Sequence, residues 1–351
     1  MTARKTVLII GATGAFGAHA AVALIARGWT VRALARDPGK AREKLGAAMP
    51  VDIIGGDALN EAEVVAAATG ARIIVHAANP PAYRNWAGTV LPMLSNSIAA
   101  ARASGARIIL PGSVYNFAAD AGPSIAEHAP QEPTTHKGDI RVAAERALEA
   151  AAGEGVRSLI LRAGDFFGPG AGSAFFNHLL VRRGSRALVF LVPGPRRIDH
   201  AFAYLPDLAE AMARLADREE ALEPFARFHF AGHFVSTAEV IGCVRQALGA
   251  STFRTLPFPW TLAGVLGLFD ETLRELTEMR YLWEKPIGLD GSALEAFVGP
   301  LRSTPLQAAI AATLEDLLGG AEKRDARGGG SWTSSDWERP ASRSHASASA
   351  A

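Results

Sequence analysis

Short runs of β-branched and aliphatic residues alternate with alanine-rich stretches from Thr6 to Ala163. That alternation is the signature of βαβ units, in which parallel strands are buried on both faces by the helices that connect them. The pattern predicts strands at 6–10, 30–35, 51–54, 72–76, 107–110 and 157–162, and helices near 14–27, 40–45, 61–68, 90–104 and 137–152. Right-handed crossovers then give an α/β, doubly wound parallel sheet of the Rossmann type, with a ligand expected outside the carboxyl ends of the strands.

Beyond Ala163 the rhythm breaks into loops such as Gly168-Pro169-Gly170 and Pro193-Gly194-Pro195, with helices predicted near 174–183, 206–217, 236–248 and 305–318. The division that follows is a Rossmann region over 1–165, its sheet completed by later segments, and a smaller mixed region over 166–318 on the substrate side. Residues 319–351 turn to Gly, Ser, Ala and scattered charge, a composition that buries too little apolar surface to order itself, so a disordered tail is expected. The apolar run 260–269 falls well short of the roughly 20 residues needed to span a bilayer, and is expected in the core or as a lid.

Composition narrows the partners. Of 351 residues, 49% are hydrophobic, enough for a substantial core, and 36 basic against 35 acidic residues leave no basic field for nucleic acid or an anionic membrane. A small-molecule substrate is the expected partner; a homodimer is allowed for, and nothing in the sequence fixes the oligomeric state. The single cysteine, Cys243, excludes an internal disulfide, and it reads as a small apolar residue of a helix. His200 and His233 lack metal-ligand spacing, so no metal is expected and both read as core or loop histidines. Glu219-Glu220 and Glu271/Glu275 read as solvated charge on helix faces, while Trp260, Phe269 and Tyr281-Leu282-Trp283 suit pocket lining and plain packing equally. The N-terminus passes from Met-Thr-Ala-Arg-Lys straight into a strand with no secretory apolar segment, so a cytoplasmic location is expected.

The first strand runs into Gly11-Ala12-Thr13-Gly14-Ala15-Phe16-Gly17 and then a helix. Gly11 can make the tight turn, Gly14 can let backbone approach a pyrophosphate, and Gly17 can permit close helix–sheet packing, while the helix N-terminus offers free N–H groups to phosphate. Thr13, Ala15 and Phe16 complete the turn. The spacing is G-x-x-G-x-x-G. The second strand ends Ala33-Leu34-Ala35-Arg36, with alanine where an acid would take the ribose hydroxyl of NAD and a guanidinium next to it that suits the 2′-phosphate of NADP. The adjacent Asp37 argues the other way, and NADP is favoured over NAD.

From Thr6 to about Leu318 the chain resembles the extended and atypical short-chain dehydrogenase/reductases, the group that includes the NAD-dependent epimerase/dehydratase family. Beyond the glycine turn, Gly56-Asp57-Ala58-Leu59 is similar to the family's adenine-contacting segment, and His76-Ala77-Ala78-Asn79 to its loop beside the nicotinamide ribose. Ser113-Val114-Tyr115 resembles the family's fifth-strand exit, residues 162–169 its sixth-strand exit, and Asp207-Leu208-Ala209 a helix start. The resemblance implies cofactor contacts from Asp57, Ala58, Ala77, Ala78 and Asn79.

The chain departs from the family where Tyr-x-x-x-Lys and a later Glu are usual. Aligned on Glu145, Lys137 takes the tyrosine position and Arg141 the lysine position, both on one helical face. Arg141 can hold the ribose without losing a proton. Three readings of the reaction stay open. Lys137, with its pKa lowered by burial beside another cation, is a proton donor; Tyr115, with Ser113 as hydrogen-bond partner, is a proton donor; or the site binds dinucleotide without turning it over. The expected function is an NAD(P)-dependent oxidoreductase acting on a small or moderately apolar carbonyl or alcohol, with Ser113, Tyr115, Lys137 and Arg141 at the reacting centre. The alternatives are a non-catalytic NAD(P)-binding regulator or redox sensor, and a sugar-nucleotide epimerase/dehydratase.

Overall fold

A computed structural model describes residues 5–80, 85–171, 176, 179–183, 187–249 and 253–326. The first half runs β1 (Thr6–Ile10), α1 (Ala15–Ala26), β2 (Thr30–Ala35), α2 (Pro38–Leu45), β3 (Val51–Gly55), α3 (Glu61–Ala67), β4 (Ile73–His76), α4 (Trp86–Ser104), β5 (Arg107–Ser113), α5 (His136–Ala152) and β6 (Ser158–Ala163). Side chains mark where several of these helices begin. Asp37 accepts the Lys40 N–H with Pro38 behind it, Asn60 accepts the Glu63 N–H, and Thr135 accepts the Gly138 N–H.

Seven parallel strands form the central sheet in the order β11-β6-β5-β4-β1-β2-β3, with β11 (Phe225–Phe230) completing it from the second half of the chain. The order reverses between β1 and β4, and this is the switch point where a crevice opens. Strand β1 is buried along its whole length, and its period of two divides the core. Val7 and Ile9 face a cluster with Leu24, Leu205 and Leu208, while Leu8 and Ile10 face one with Val64, Leu94, Ile108 and Leu148.

Strand β5 continues past the predicted end at Leu110, through Pro111 and Gly112, to Ser113. Proline is tolerated there because β4 pairs only as far as Ile109, so the missing N–H removes no ladder bond on that side.

The second half adds β7 (Asp165–Phe167), β8 (Leu180–Arg183), β9 (Ala187–Val192), β10 (Asp199–Tyr204), α6 (Leu205–Asp217), β12 (His233–Ser236), α7 (Thr237–Leu248), β13 (Phe253–Pro257), α8 (Trp260–Leu266), α9 (Glu271–Glu278), α10 (Ser292–Val298) and α11 (Leu306–Ala326). Two three-stranded sheets, β12-β10-β7 and β13-β9-β8, enclose an aromatic core of Phe167, Phe176, Phe190, Phe202 and Trp283. Two expectations are corrected here. Residues 180–183 pair as a strand with β9 instead of continuing a helix, and 172–175 lie outside the described residues. Helix α11 runs on through Gly319 to Ala326, so the expected tail does not begin at 319; residues 327–351 lie outside the described ones. Among the described residues no helix is long and apolar enough to cross a membrane.

Helix α5 is fastened to the sheet by charge. Arg162 on β6 reaches Glu145 on α5 through both carboxylate oxygens, Nε to Oε1 at 2.9 Å and Nη2 to Oε2 at 2.5 Å, with both residues at most 3% exposed. Asn116 and Gln131 donate to the same carboxylate. Removing one member strands the other as a buried charge, so Glu145→Ala is expected to cost about 3–5 kcal/mol of unfolding free energy, read from the denaturant midpoint.

Candidate active site

The glycine turn owes its shape to close backbone approach. Gly11 has φ +92°, and a Cβ there would stand 2.6 Å from the backbone of Ala77 and Ala78 at the exit of β4. A Cβ on Gly17 would stand 2.2 Å from the Gly11 carbonyl oxygen. The turn therefore closes only with glycine at both positions, which seats the start of α1 against the switch point. Gly14 caps α1 without a side-chain hydrogen bond, so the first-turn N–H groups face outward beside Thr13 and Ala15. The Phe16 ring points inward and stacks on Phe166 at 6.1 Å, so only its backbone is available to a ligand.

On the far side of β1, Arg36 is exposed at the exit of β2. Its neighbour Asp37 is engaged: the carboxylate accepts the Lys40 N–H at 3.0 Å and pairs with Lys40 Nζ at 3.2 Å. Asp57 uses one oxygen to accept the Leu59 N–H, and the Ala58 carbonyl accepts from Asn96 Nδ2. Ala77 and Ala78 are half-buried beside the turn, and Asn79 is exposed.

The four residues expected at the reacting centre lie on two packed elements, Ser113 and Tyr115 at the exit of β5 and Lys137 and Arg141 at the start of α5. Ser113 ends β5, and its Oγ accepts the Tyr115 backbone N–H at 3.3 Å, capping the 3-10 turn Val114–Asn116. The Tyr115 phenol turns elsewhere, donating to Asp165 Oδ1 at 3.0 Å. Helix α5 presses on this turn, since a Cβ on Gly138 would stand 2.4 Å from the Tyr115 carbonyl oxygen. Lys137 and Arg141 share one face of α5 over the Trp86 ring, at 5.9 and 5.0 Å from its centroid.

Lys137 is sealed in. Its side chain is 1% exposed, and Nζ donates to the Glu275 carbonyl at 3.1 Å with Glu275 Oε2 at 3.6 Å. Burial drives the Lys137 ammonium down to about 8, against the opposing pull of Glu275, Glu278 and Asp165. On the next turn of α5, Arg141 adds to the burial that holds His76 near 4.

Three residues not assigned to the site from the sequence lie beside these four. Asp165 is 8% exposed and accepts from Tyr115 with one oxygen, while its other lies 2.9 Å from His200 Nε2. His200 Nδ1 donates to the Leu282 carbonyl at 3.0 Å, and its ring stacks on Trp283 at 3.8 Å and 8°. His200 is 2% exposed with both ring nitrogens partnered, as expected of a satisfied core histidine. Glu275, expected as solvated charge, is 7% exposed because α9 folds over Lys137. Glu219 is likewise buried, at 2%, between Arg72, Arg107 and Arg157, whereas Glu220 beside it stays exposed. Phe269 is 89% exposed and lines nothing, while Trp283 packs on His200. Among the described residues no group of His, Cys, Asp and Glu has the arrangement of a metal site.

Residues 7–229 match the model of the NAD dependent epimerase/dehydratase family, and the chain belongs to that family. A 3-diazoavenalumate denitrifying reductase from a Streptomyces species is 32% identical over 184 residues, which is 48% of this chain and 58% of the relative's length. Among solved structures, the fold is similar to MoeE5 in complex with UDP-glucuronic acid and NAD, at 19% identity and TM-score 0.68, covering 89% of this chain and 98% of that one. It is also similar to the UDP-glucose 4-epimerase of Bifidobacterium longum in complex with NAD+ and UDP, at 16% identity and TM-score 0.68, covering 90% and 99% of the two chains.

Two measurements bear on the site's energetics. Replacing the buried Lys137–Glu275 pair by Met and Leu together is expected to leave stability unchanged or raise it by about 1–4 kcal/mol, whereas Glu275→Leu alone destabilises. His76 and His229 are both held near 4 from an ordinary 6.5, burial being the first cause in each. The folded chain then binds fewer protons than the unfolded one between these values. Stability is complete above pH 6.5 and falls as the pH drops through 4, by up to about 3 kcal/mol for each histidine, read as a falling urea midpoint.

Proposed function

We propose that the chain is an NADP-dependent oxidoreductase of the short-chain dehydrogenase/reductase class, acting on a small or moderately apolar carbonyl or alcohol with Tyr115 as the group that exchanges a proton with substrate. One observation carries this reading. The phenol of Tyr115, half-buried at the exit of β5, donates to a buried carboxylate, Asp165, that also faces the Lys137 ammonium. Lys137 takes the expected donor position on α5, but Glu275 covers its nitrogen. Tyr115 is the more reachable of the two candidates, and Lys137 serves as the neighbouring cation.

The residues present fit a dinucleotide. The glycine cradle tolerates no Cβ at Gly11 or Gly17, and the uncapped N-terminus of α1 offers N–H donors for a pyrophosphate. Arg36 would take a 2′-phosphate, a role favoured by the engagement of Asp37 with Lys40. Asp57 and Ala58 would border the adenine, and Ala77, Ala78 and Asn79 the nicotinamide ribose, which Arg141 would hold. A reduced nicotinamide bound there supplies hydride. Tyr115 gives a proton to the substrate oxygen as that oxygen gains charge, and Ser113 keeps the 3-10 turn in register by capping it. The 32% identical relative carries the name of a reductase, which supports the reductive direction.

Fluorescence titration should show NADPH binding more tightly than NADH, with the difference abolished by Arg36→Ala. Tyr115→Phe should lower kcat for NADPH-dependent carbonyl reduction by about 10²–10⁴-fold while leaving NADPH affinity unchanged. Binding of neither dinucleotide would sink the oxidoreductase reading.

A further inference from the structure

The side chains behind Tyr115 form a chain that the reading above does not use. Tyr115 OH, Asp165 Oδ1, Asp165 Oδ2 and His200 Nε2 follow one another at 3.0 and 2.9 Å, and His200 Nδ1 lies 3.0 Å from the Leu282 carbonyl oxygen. The three residues come from three places: the 3-10 turn after β5, the start of β7, and β10. His200 and Asp165 are 2% and 8% exposed, so bulk water does not stand in for either partner.

Hydrogen-bond accounting fixes how many protons this chain holds. A carbonyl oxygen can only accept, so Nδ1 carries a proton. The contact between Nε2 and the carboxylate needs a second proton, held either on the imidazole or on Asp165. Both arrangements give the pair one proton more than a carboxylate beside a neutral imidazole. His229 shows the contrast within the same molecule. It faces one acceptor, the Ile125 carbonyl, and one donor, Arg162 Nη1, so a single tautomer satisfies it and it remains neutral. The flat stack of the His200 ring on Trp283, with Phe202 edge-on at 4.7 Å, suits a cationic ring against an aromatic face.

We infer that Asp165 and His200 hold a reserve proton that restores the Tyr115 phenol after it has given its own proton to substrate. This rests on the reading that Tyr115 is the proton-exchanging group. In the reductive direction, where a bound reduced nicotinamide would supply hydride to the carbonyl carbon, the Tyr115 O–H bond breaks and its proton goes to the substrate oxygen. His200 Nε2 gives its proton to Asp165 Oδ2, and the neutral carboxyl group turns about its Cβ–Cγ bond to deliver that same proton to the phenolate, so Asp165 ends ionised. His200 ends neutral, with its Nδ1–H still donating to the Leu282 carbonyl. In oxidation the same steps run backwards, and His200 ends protonated. Both residues act through Tyr115 and are positioning residues in that sense. The charged and titratable groups facing the pair are Tyr115 from the 3-10 turn, Lys137 from α5 and Tyr281 from the segment Met279–Trp283.

The test reads protonation and rate separately. In ¹⁵N-labelled full-length protein at neutral pH, nuclear magnetic resonance of the histidine rings should show extra protonation at one site. Either both nitrogens of that ring carry protons, or a proton is shared between Nε2 and a carboxylic acid. The signal should vanish in His200→Gln and change in Asp165→Asn. With NADPH and 4-nitrobenzaldehyde as probe, His200→Gln, whose amide can still donate to Asp165, should alter the pH profile of kcat and lower kcat by about 10²-fold at unchanged NADPH affinity. A neutral His200 with an ionised Asp165 at neutral pH would overturn the inference, as would an unaltered pH profile in His200→Gln. If Tyr115→Phe left turnover intact, the functional reading would fail even where the resonance result held, so the two failures are distinguishable.

Discussion

The bidentate contact between Arg162 and Glu145 sets the position of everything at the carboxyl end of the sheet. It joins the sixth strand to the helix that carries Lys137 and Arg141, and through Asn116 it reaches the turn that carries Tyr115. Arg162 also donates to the Glu127 carbonyl and to His229, so one guanidinium organises two loops, a strand and a helix. A buried pair of this kind stabilises only when its remaining donors and acceptors are satisfied, and here they are met by Asn116, Gln131 and main-chain oxygen.

The second constraint is steric. Gly11 and Gly17 bring the first strand, the first helix and the exit of β4 to distances that no side chain would allow. A ligand laid across the reversal in strand order would meet bare backbone there. Tyr115, Lys137 and Arg141 stand on the other side of that reversal, on elements tied together by the arginine–glutamate contact. The two halves of the site are thus built by different means, one by removing atoms and the other by pairing charges.

Much of this architecture could be read from the chain. The glycine turn, the alternation of strand and helix and the shared face of Lys137 and Arg141 are local patterns, and local patterns survive into three dimensions. What escaped was relational. Asp165 and His200 lie 35 positions apart and meet only because β7 and β10 pair in a small parallel ladder. Glu275 sits on a helix whose amphipathic pattern reads as a solvated surface, and only the fold-back of that helix over Lys137 buries it. Even so, a signal existed: Glu275 and Glu278 stand three apart, where two acids on one helix face can meet a lysine and a helix N-terminus together, and Glu278 indeed accepts the His136 N–H. The strand at 180–183 and the helical continuation past Gly319 escaped for the opposite reason, since tertiary pairing and helix propagation overrode weak local preference.

Two of the site's side chains are anchored on main-chain oxygen. Lys137 takes the carbonyl of Glu275, and His200 takes that of Leu282. A carbonyl is supplied by every residue type, so these anchors are encoded by the path of the chain and not by what occupies positions 275 and 282. Position 282 can therefore exchange side chains while its main chain still holds the same histidine. At position 275 the carboxylate adds its own pairing with Lys137, so there residue type matters as well as the path of the chain.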